Sequence, residues 1–151
     1  MTLALACGCE KRISEYDKDQ AKLAAAKDKL VAAGAKVEIK QFPQGDAFII
    51  NLSGQTLTKE TFDHMTELVR VVELDLSKSS FKDEDMALIS NSDIRGVLMK
   101  LNLSDTALSD EGLKQLSDVY FLSELNAANT KITDAGISEL KTRWPNVKVK
   151  K

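Results

Sequence analysis

The side chains best suited to catalysis or metal binding are scarce in this chain of 151 residues, which contains one histidine and two cysteines. A histidine general base would have to be His64, and a thiolate nucleophile would have to be Cys7 or Cys9. Structural zinc takes four ligands, and His64 is far in sequence from both cysteines. A disulfide between residues two positions apart is strained. We therefore predict no catalytic residue, no metal site and no cofactor, with His64 at the surface of a helix.

Charge and composition argue against a nucleic-acid-binding protein, a phosphate-binding loop and a membrane-spanning protein. The net charge is −2, with lysines and acidic residues interspersed, whereas a nucleic-acid-binding protein needs a basic face. The stretch SGQTLTK (53–59) has a single glycine and lacks the spacing of a phosphate-binding loop. No apolar run approaches the length of a membrane span. An enzyme with an unrecognised site is a remote alternative to a binding protein.

Two stretches near the C-terminus carry the same pattern. LSDTALSDEGLKQL (103–116) and AANTKITDAGISEL (127–140) coincide when one is shifted by 24 positions. A short helical segment follows each of four strand cores. A strand and a short helix that repeat with a period in the twenties predict a right-handed α/β solenoid of leucine-rich repeats. The four cores, spaced 24, 27 and 24 residues apart, are INLS (50–53), LDLS (74–77), LNLS (101–104) and LNAA (125–128).

The chain resembles the short bacterial leucine-rich-repeat proteins whose units read LxxLxLxxTxITDxGLxxL, a type common in planctomycete-like genomes and often carried as lipoproteins. The resemblance covers about 46–146. The last two units match the motif closely, whereas the first two match in spacing. Lys59 and Thr61 replace the aspartate and glycine of the motif in the first unit, and Asp85 replaces the glycine in the second. The resemblance implies a fold and says little about function.

Each residue of the recurring motif has an expected structural use. The resemblance implies that Thr106 and Thr130 bond inward to loop backbone groups, which need such partners when buried, and Gln55 and Ser79 can do the same. The short helices are predicted to be capped by Ser109 or Asp110 and by Thr133 or Asp134. Gly112 and Gly136 are expected to permit close packing or an unusual backbone angle.

The segments outside the repeats are expected to close the two ends of the solenoid. We divide the chain into a candidate remnant of a lipoprotein signal (1–9), an N-terminal cap helix with a short strand (10–45), four leucine-rich repeats (46–146) and a C-terminal capping strand (147–151). Val37 and Ile39 are predicted to be half-buried in that first strand. The predicted apolar stripe of the cap helix is Ile13, Tyr16, Leu23, Leu30 and Val31.

The first residues suggest a lipid anchor. LALACGC (3–9) resembles the lipobox of a bacterial lipoprotein, although its apolar stretch is shorter than a signal core and no basic region precedes it. We predict a truncated signal, with Cys7 as the lipidated residue and Cys9 as the second choice. The predicted location is the cell envelope or periplasm, with any membrane contact made through the lipid, and the alternative location is the cytoplasm.

Outward side chains along the strand cores would form an open face of the kind on which solenoids recruit partners. About five parallel strands ~4.8 Å apart give this face a footprint on the order of 250–300 Å², whereas a standard interface uses about 800 Å² per partner. We therefore expect weak binding of a protein or a short ligand, or the help of a second copy. The candidate binding residues are Asn51, Glu73, Asp75, Lys100, Asn102, Ser104, Glu124 and Asn126.

These observations favour a non-catalytic interaction protein over an enzyme. One alternative is a cytoplasmic or organellar assembly factor, because FDHM (62–65), the preceding cap and the lysine-rich end resemble the mitochondrial coupling factor B family. The stretch SNSDIRG (90–96) lengthens the second unit by three residues. We predict a tolerated surface insertion there in preference to a contact site.

Overall fold

The computed structural model describes the backbone at 7–43, 45–68, 70–116 and 119–151, and the side chains from Lys18 onward apart from that of Arg95. The strands are β1 (Lys36–Phe42), β2 (Gly45–Asn51), β3 (Val71–Asp75), β4 (Lys100–Asn102), β5 (Glu124–Asn126) and β6 (Lys148–Lys150). The α-helices are α1 (Cys7–Ala32), α2 (Lys59–Thr66), α3 (Met86–Ser90), α4 (Asp110–Gln115) and α5 (Asp134–Arg143), and short 3-10 turns lie at Asp83–Asp85 and Asp93–Gly96.

The described strands form one six-stranded sheet whose spatial order follows the chain, from β1 to β6. β1 pairs with β2 antiparallel, and β2 to β6 pair parallel. The predicted α/β class and the five parallel strands are therefore confirmed, and the antiparallel hairpin is an addition. We call β2 with α2 unit 1, β3 with α3 unit 2, β4 with α4 unit 3, and β5 with α5 unit 4.

One row of apolar side chains runs through the core face of the parallel strands. Ile50, Leu74, Leu101, Leu125 and Val149 are register partners from β2 to β6, and the first four are buried. Because strand side chains alternate, the residues between the buried ones point to the opposite, open face. A continuous buried cluster extends from Ala26 in α1 to Val147 before β6. No described helix combines the length and the apolar character needed to cross a membrane.

The cap helix packs along part of the predicted stripe, because Leu30 is buried and Leu23 packs against the core. Ala26 and Leu30, four residues apart, are buried, whereas Val31 is 50% exposed, so its assignment to the stripe was wrong. Ile39 is also 48% exposed and was wrongly predicted to be half-buried. It lies on the edge strand β1, where it lines a groove with Leu23 instead of being covered. The side chains of Ile13 and Tyr16 lie outside the described residues.

The same turn follows each of the strands β2 to β5. Its central residue has a left-handed backbone, with φ between 55° and 73°; these residues are Gly54, Lys78, Asp105 and Asn129. In three of the four turns the next hydroxyl donates back to a carbonyl, at 2.5 Å from Ser79 to Leu76 and at 2.7 Å from Thr106 to Leu103 and from Thr130 to Ala127. These predicted bonds are confirmed. The Gln55 side chain instead lies against Gly34, where an added Cβ would be 2.6 Å from Oε1.

Neighbouring units are joined by an aspartate of one and the helix cap of the next. The Asp83 carboxylate accepts bonds from the backbone N (2.8 Å) and hydroxyl (2.5 Å) of Ser109. Asp110 accepts from N (2.8 Å) and Oγ1 (2.6 Å) of Thr133 in the same way. Ser109 and Thr133 are also the helix caps. Of the two caps considered at each helix, the hydroxyl residue is the actual one, and Asp110 bridges to the next unit.

The pKa of Asp110 is lowered from its ordinary value, mainly by the bond from the Thr133 hydroxyl and then by that from the Thr133 backbone. A carboxyl with a lowered pKa stabilises the fold above about pH 4, and that stability is lost as the pH falls through the lowered value. We expect Asp110→Asn to unfold more easily at pH 7 and to lose less stability between about pH 5 and 2 than the parent. Urea unfolding of the parent and of the variant at several pH values across that range measures how steeply the free energy of unfolding of each falls with pH.

A matched variant separates this bond from a general effect of charge. Thr133→Val removes the hydroxyl donor and keeps the backbone donor, so the pKa of Asp110 should rise toward its ordinary value. NMR titration of the Asp110 side-chain carbon measures that shift. An unchanged pKa in Thr133→Val, or parallel stability curves for Asp110→Asn and the parent, would contradict the bridge.

The lengthened segment at 90–96 is packed into the fold. Ile94 is 1% exposed and belongs to the core cluster. The Ser90 hydroxyl donates to the Gln115 carbonyl of unit 3 at 2.6 Å, and that of Ser92 donates to the Ile89 carbonyl at 2.8 Å. The predicted surface insertion is therefore contradicted at Ser90, Ser92 and Ile94, which are buried, whereas Asn91 and Asp93 are exposed.

Candidate binding face

Two rows of side chains, polar except for Ile49, cross the open face of the sheet. On each parallel strand, one row stands one residue before the apolar core row and the other stands one residue after it. The first, which we call the charged row, consists of register partners Glu38, Ile49, Glu73, Lys100, Glu124 and Lys148. The second, the amide row, consists of Asn51, Asp75, Asn102 and Asn126, flanked by Lys36 on β1 and Lys150 on β6. The rows result from in-register pairing, which repeats one strand position on every strand.

A groove of about 360 Å³ lies over these rows. Seven of the eight predicted binding residues line it, namely Asn51, Glu73, Asp75, Lys100, Asn102, Glu124 and Asn126. Ser104 is half-buried in the turn after β4 and is not part of the groove lining. The structure therefore brings seven of the predicted residues together on one surface.

Each member of the amide row also closes the turn after its own strand. The side-chain oxygen of Asn51 accepts from the Ser53 backbone N at 2.9 Å, and that of Asp75 accepts from Ser77 N at 2.9 Å. The corresponding distances for Asn102 and Asn126 are both 3.2 Å. Side chains that bond to the backbone two residues on are typical Asx turns. Sequence reasoning assigned these residues to recognition and missed this structural use.

Three charged side chains of the open face form a chain of ion pairs. Lys100 Nζ lies 3.6 Å from Glu73 Oε1 and 3.9 Å from Glu124 Oε2. All three side chains are partly exposed, so each pair contributes little to stability. Across both rows the four lysines (36, 100, 148 and 150) and the four carboxylates (38, 73, 75 and 124) cancel. The groove itself is lined by two of the lysines (36 and 100) and by all four carboxylates, so its lining is net negative.

His64 lies on α2, away from the groove, and is more buried than predicted. Its side chain is 15% exposed, with Nε2 3.7 Å from Glu60 and Nδ1 3.9 Å from Glu67. Nδ1 is buried and makes no hydrogen bond to the described residues. His64 is therefore half-buried, beside the exposed side chains of Glu60 and Glu67 on the same face of α2. Among the described side chains no three of the types His, Cys, Asp and Glu converge as metal ligands would.

The predicted lipidation site lies largely outside the described residues. Residues 1–6 are not described, and neither are the side chains of Cys7 and Cys9, whose backbone forms the first turn of α1. The structure therefore leaves the predicted lipid anchor untested.

Sequence reasoning missed three exposed apolar side chains at the sheet edge where the parallel strands begin. Tyr120 and Phe121 are 71% and 64% exposed, and Met99 directly before β4 is also exposed. Backbone bonds from Ser123 and Glu124 to the Met99 carbonyl, at 2.8 and 3.1 Å, place the two strand entrances side by side. The sequence feature that could have indicated these exposed side chains is the YF pair (120–121), because it occupies none of the repeating core positions.

Comparison with protein-family models and with curated proteins finds no match to this chain. The function is therefore inferred from the geometry of the groove.

Proposed function

We propose that this protein is a non-catalytic leucine-rich-repeat solenoid that binds a partner on its open face. Strand cores spaced 24, 27 and 24 residues apart pair in register, and the same turn follows each of them. The aspartate-to-cap bonds between units 2 and 3 and between units 3 and 4 support a stack of equivalent units. Such a stack exposes an extended polar surface as its natural contact site.

The observation that carries the binding proposal is that the two polar atoms of an amide-row side chain have different uses. One atom closes the turn, and the other is left for the groove. A backbone N–H can only donate, so the atom of Asn102 or Asn126 that accepts this hydrogen bond is its amide oxygen. The amide nitrogen of the same planar group is then directed away from the turn, on a residue that lines the groove. The fold thus fixes the orientation of donors that it does not itself consume.

The size of the groove favours a small ligand or a weak contact. The five parallel strands, ~4.8 Å apart, set a footprint on the order of 250–300 Å², well below the roughly 800 Å² per partner of a stable protein complex. A volume of about 360 Å³ falls at the lower end of the range for small-molecule sites. A short ligand therefore fits this face better than a folded partner.

Asn102→Asp tests the site without removing the turn. Aspartate keeps the accepting oxygen, as Asp75 shows at the equivalent position, but replaces the outward donor with an acceptor. Asn102→Ala would remove both and confuse folding with binding. For a ligand found by NMR screening of neutral and charged polar compounds, we expect Asn102→Asp to weaken binding about 3- to 10-fold. The amide signals of β3 to β5 should shift more than those of α2 to α5.

Asn146→Asp is the matched control, because it makes the same chemical change at an exposed turn position outside the groove. Its affinity should equal that of the parent. Equal loss of affinity in both variants, or ligand-induced shifts confined to the helices, would exclude the open face as the site.

The envelope location and the lipid on Cys7 are part of the same proposal and rest on the LALACGC sequence alone. Intact-mass spectrometry of the protein from its native cells tests them. A diacylglycerol adduct on a chain beginning at Cys7 is expected, and an unmodified chain beginning at Met1 would exclude the anchor.

A further inference from the structure

We propose that the outer edge of β1 pairs with the same edge of a second copy of this chain, in an antiparallel register centred on Ile39. This inference goes beyond the proposed function, because it concerns the edge of the sheet and would hold even if the groove bound no ligand. Three observations carry it: the length of the exposed edge, the order of its charges and the exposure of Ile39.

β1 is an edge strand that lacks most of the usual protection against pairing. Short length, prolines, bulges and unmatched charges normally keep the edge of a sheet from joining another chain. β1 has seven residues, none of them proline, and it pairs with β2 at every position without a bulge. No hydrogen bond from another described element reaches the backbone of 36–42. The N–H and C=O groups on its outer side are therefore available to a further strand.

The order of charges along β1 selects one register for pairing with itself. A twofold axis perpendicular to the sheet sets residues of the same face opposite one another. With the axis at Ile39, Glu38 of each copy lies opposite Lys40 of the other, so this ion pair occurs twice. An axis at Glu38 or at Lys40 would instead set that residue opposite its own copy. Opposite charges across a strand pair are favourable and like charges unfavourable, so the register centred on Ile39 is the one that matches the charges while pairing all seven residues.

Ile39 supplies the apolar part of this interface. It is 48% exposed and lies on the helix side of β1, where it lines a groove with Leu23 and Phe48. At the centre of the pairing, its Cβ would lie about 4.5–5.5 Å from the Cβ of the second Ile39. The second copy thus removes from water an apolar side chain that the single chain leaves exposed.

The other edge of the sheet has the opposite character. β6 has three residues, and its antiparallel pairing with a second β6 would set Lys148 opposite Lys150 twice. Like charges directly opposite each other are destabilising. Once the two β1 edges are paired, only these mutually repelling β6 edges remain. The assembly therefore closes at two copies and does not grow into a filament.

The dimer should be weak, because the contact is one strand wide. A strand of seven residues is about 24 Å long, and pairing along it buries well below the roughly 800 Å² per partner of a standard interface. We expect a dissociation constant of roughly 10 µM to 1 mM. Since the twofold axis is perpendicular to the sheet, the two open faces would lie side by side in one continuous sheet.

Sedimentation equilibrium of the full chain between about 5 µM and 2 mM tests the pairing. Glu38→Lys and Lys40→Glu each set like charges opposite one another twice, so each variant should dimerise at least about 10-fold more weakly than the parent. An equimolar mixture of these two variants should form a heterodimer within about 3-fold of the parent affinity, because positions 38 and 40 of the two chains then carry opposite charges. Lys131→Glu, the same change at an exposed position between β5 and α5, should dimerise like the parent.

Hydrogen exchange of the parent locates the contact without relying on any variant to fold. The amides of β1 should exchange more slowly at dimer-forming concentrations, whereas those of β6 should not change. A parent that stays monomeric at the highest concentration overturns the inference, as does protection at β6 or at the helices instead of β1. Equal dimerisation of the parent and both charge-reversed variants, or a mixture of those variants that forms no heterodimer, rules out the register centred on Ile39. None of these outcomes alters the ligand test made with Asn102→Asp.

Discussion

Replacing Phe81 with alanine should destabilise the protein by about 3–5 kcal/mol, the usual cost of deleting a fully buried aromatic ring. Phe81 is completely buried at the turn from β3 toward α3 and is the largest fully buried side chain among the described residues. Its ring centroid lies 6.1 Å from that of Phe62 in α2, at an interplanar angle of 47°. The ring thus makes an apolar contact between units 1 and 2, which are also joined by a hydrogen bond of 2.9 Å from Leu57 N to the Ser80 hydroxyl.

Equilibrium urea unfolding followed by circular dichroism measures this effect. Domains of this size are typically stable by about 5–15 kcal/mol, so the variant should remain partly folded and show a much lower midpoint. Phe121→Ala is the matched control, because the same side chain is removed from an exposed position. It should change stability by no more than about 0.5 kcal/mol. Similar losses in the two variants would show that Phe81 does not join units 1 and 2.

The spacing of apolar residues predicted the sheet because the alternation of apolar and polar residues within a short stretch is enough to show which side chains face the core. The period of 24 to 27 residues placed Leu101 and Leu125 in the core and Asn102 and Asn126 on the open face, as the structure shows. What could not be predicted is which atom of Asn102 is engaged. That depends on the backbone of the turn, where Asp105 adopts φ of 58°, and the residue types alone do not determine this angle.

The errors at the N-terminal end have a different physical cause. Val31 and Ile39 are apolar and sit at the right spacing, but their burial depends on how α1 is oriented against β1. Alanine at position 26 lets α1 approach closely along the line of Leu30, which leaves Val31 exposed. Helical periodicity defines several adjacent stripes in an alanine-rich helix, and only tertiary packing selects among them.

The sites that depend on contacts between units were also inaccessible to sequence reasoning. Asp83 meets Ser109 across 26 positions and Asp110 meets Thr133 across 23, a difference created by the lengthened segment in unit 2. Ile94 is buried because that segment folds inward. The recurrence of aspartate, a hydroxyl residue and glycine in the sequence predicted a structural role for them within the repeats. The structure adds that each aspartate binds the helix cap of the following unit.

Replacing Gly112 with alanine should destabilise the protein by roughly 2–4 kcal/mol, through overpacking and loss of the adjoining hydrogen bonds. A Cβ there would lie 2.5 Å from Leu108 Cδ1 and 3.0 Å from the Asp83 Cα, and a backbone atom cannot move aside cheaply. At Gly136 the three nearest neighbours of an added Cβ all belong to the Asp110 side chain, whose Cγ would lie 2.6 Å away. The two glycines are therefore equivalent in sequence but not in surroundings. A Cβ at position 112 would have to displace backbone, whereas one at position 136 would displace only a side chain.

Double-mutant cycles measured by urea unfolding test this difference. With Asp110→Ala in place, Gly136→Ala should cost almost nothing, because the obstruction is gone and alanine favours the helix by up to about 1 kcal/mol over glycine. With Asp83→Ala in place, Gly112→Ala should still cost more than about 1 kcal/mol, because Leu108 and the Asp83 backbone remain. Additive effects in the Asp110–Gly136 cycle would show that the aspartate does not occupy the space that glycine leaves, and full relief in the Asp83–Gly112 cycle would show that the backbone there can yield.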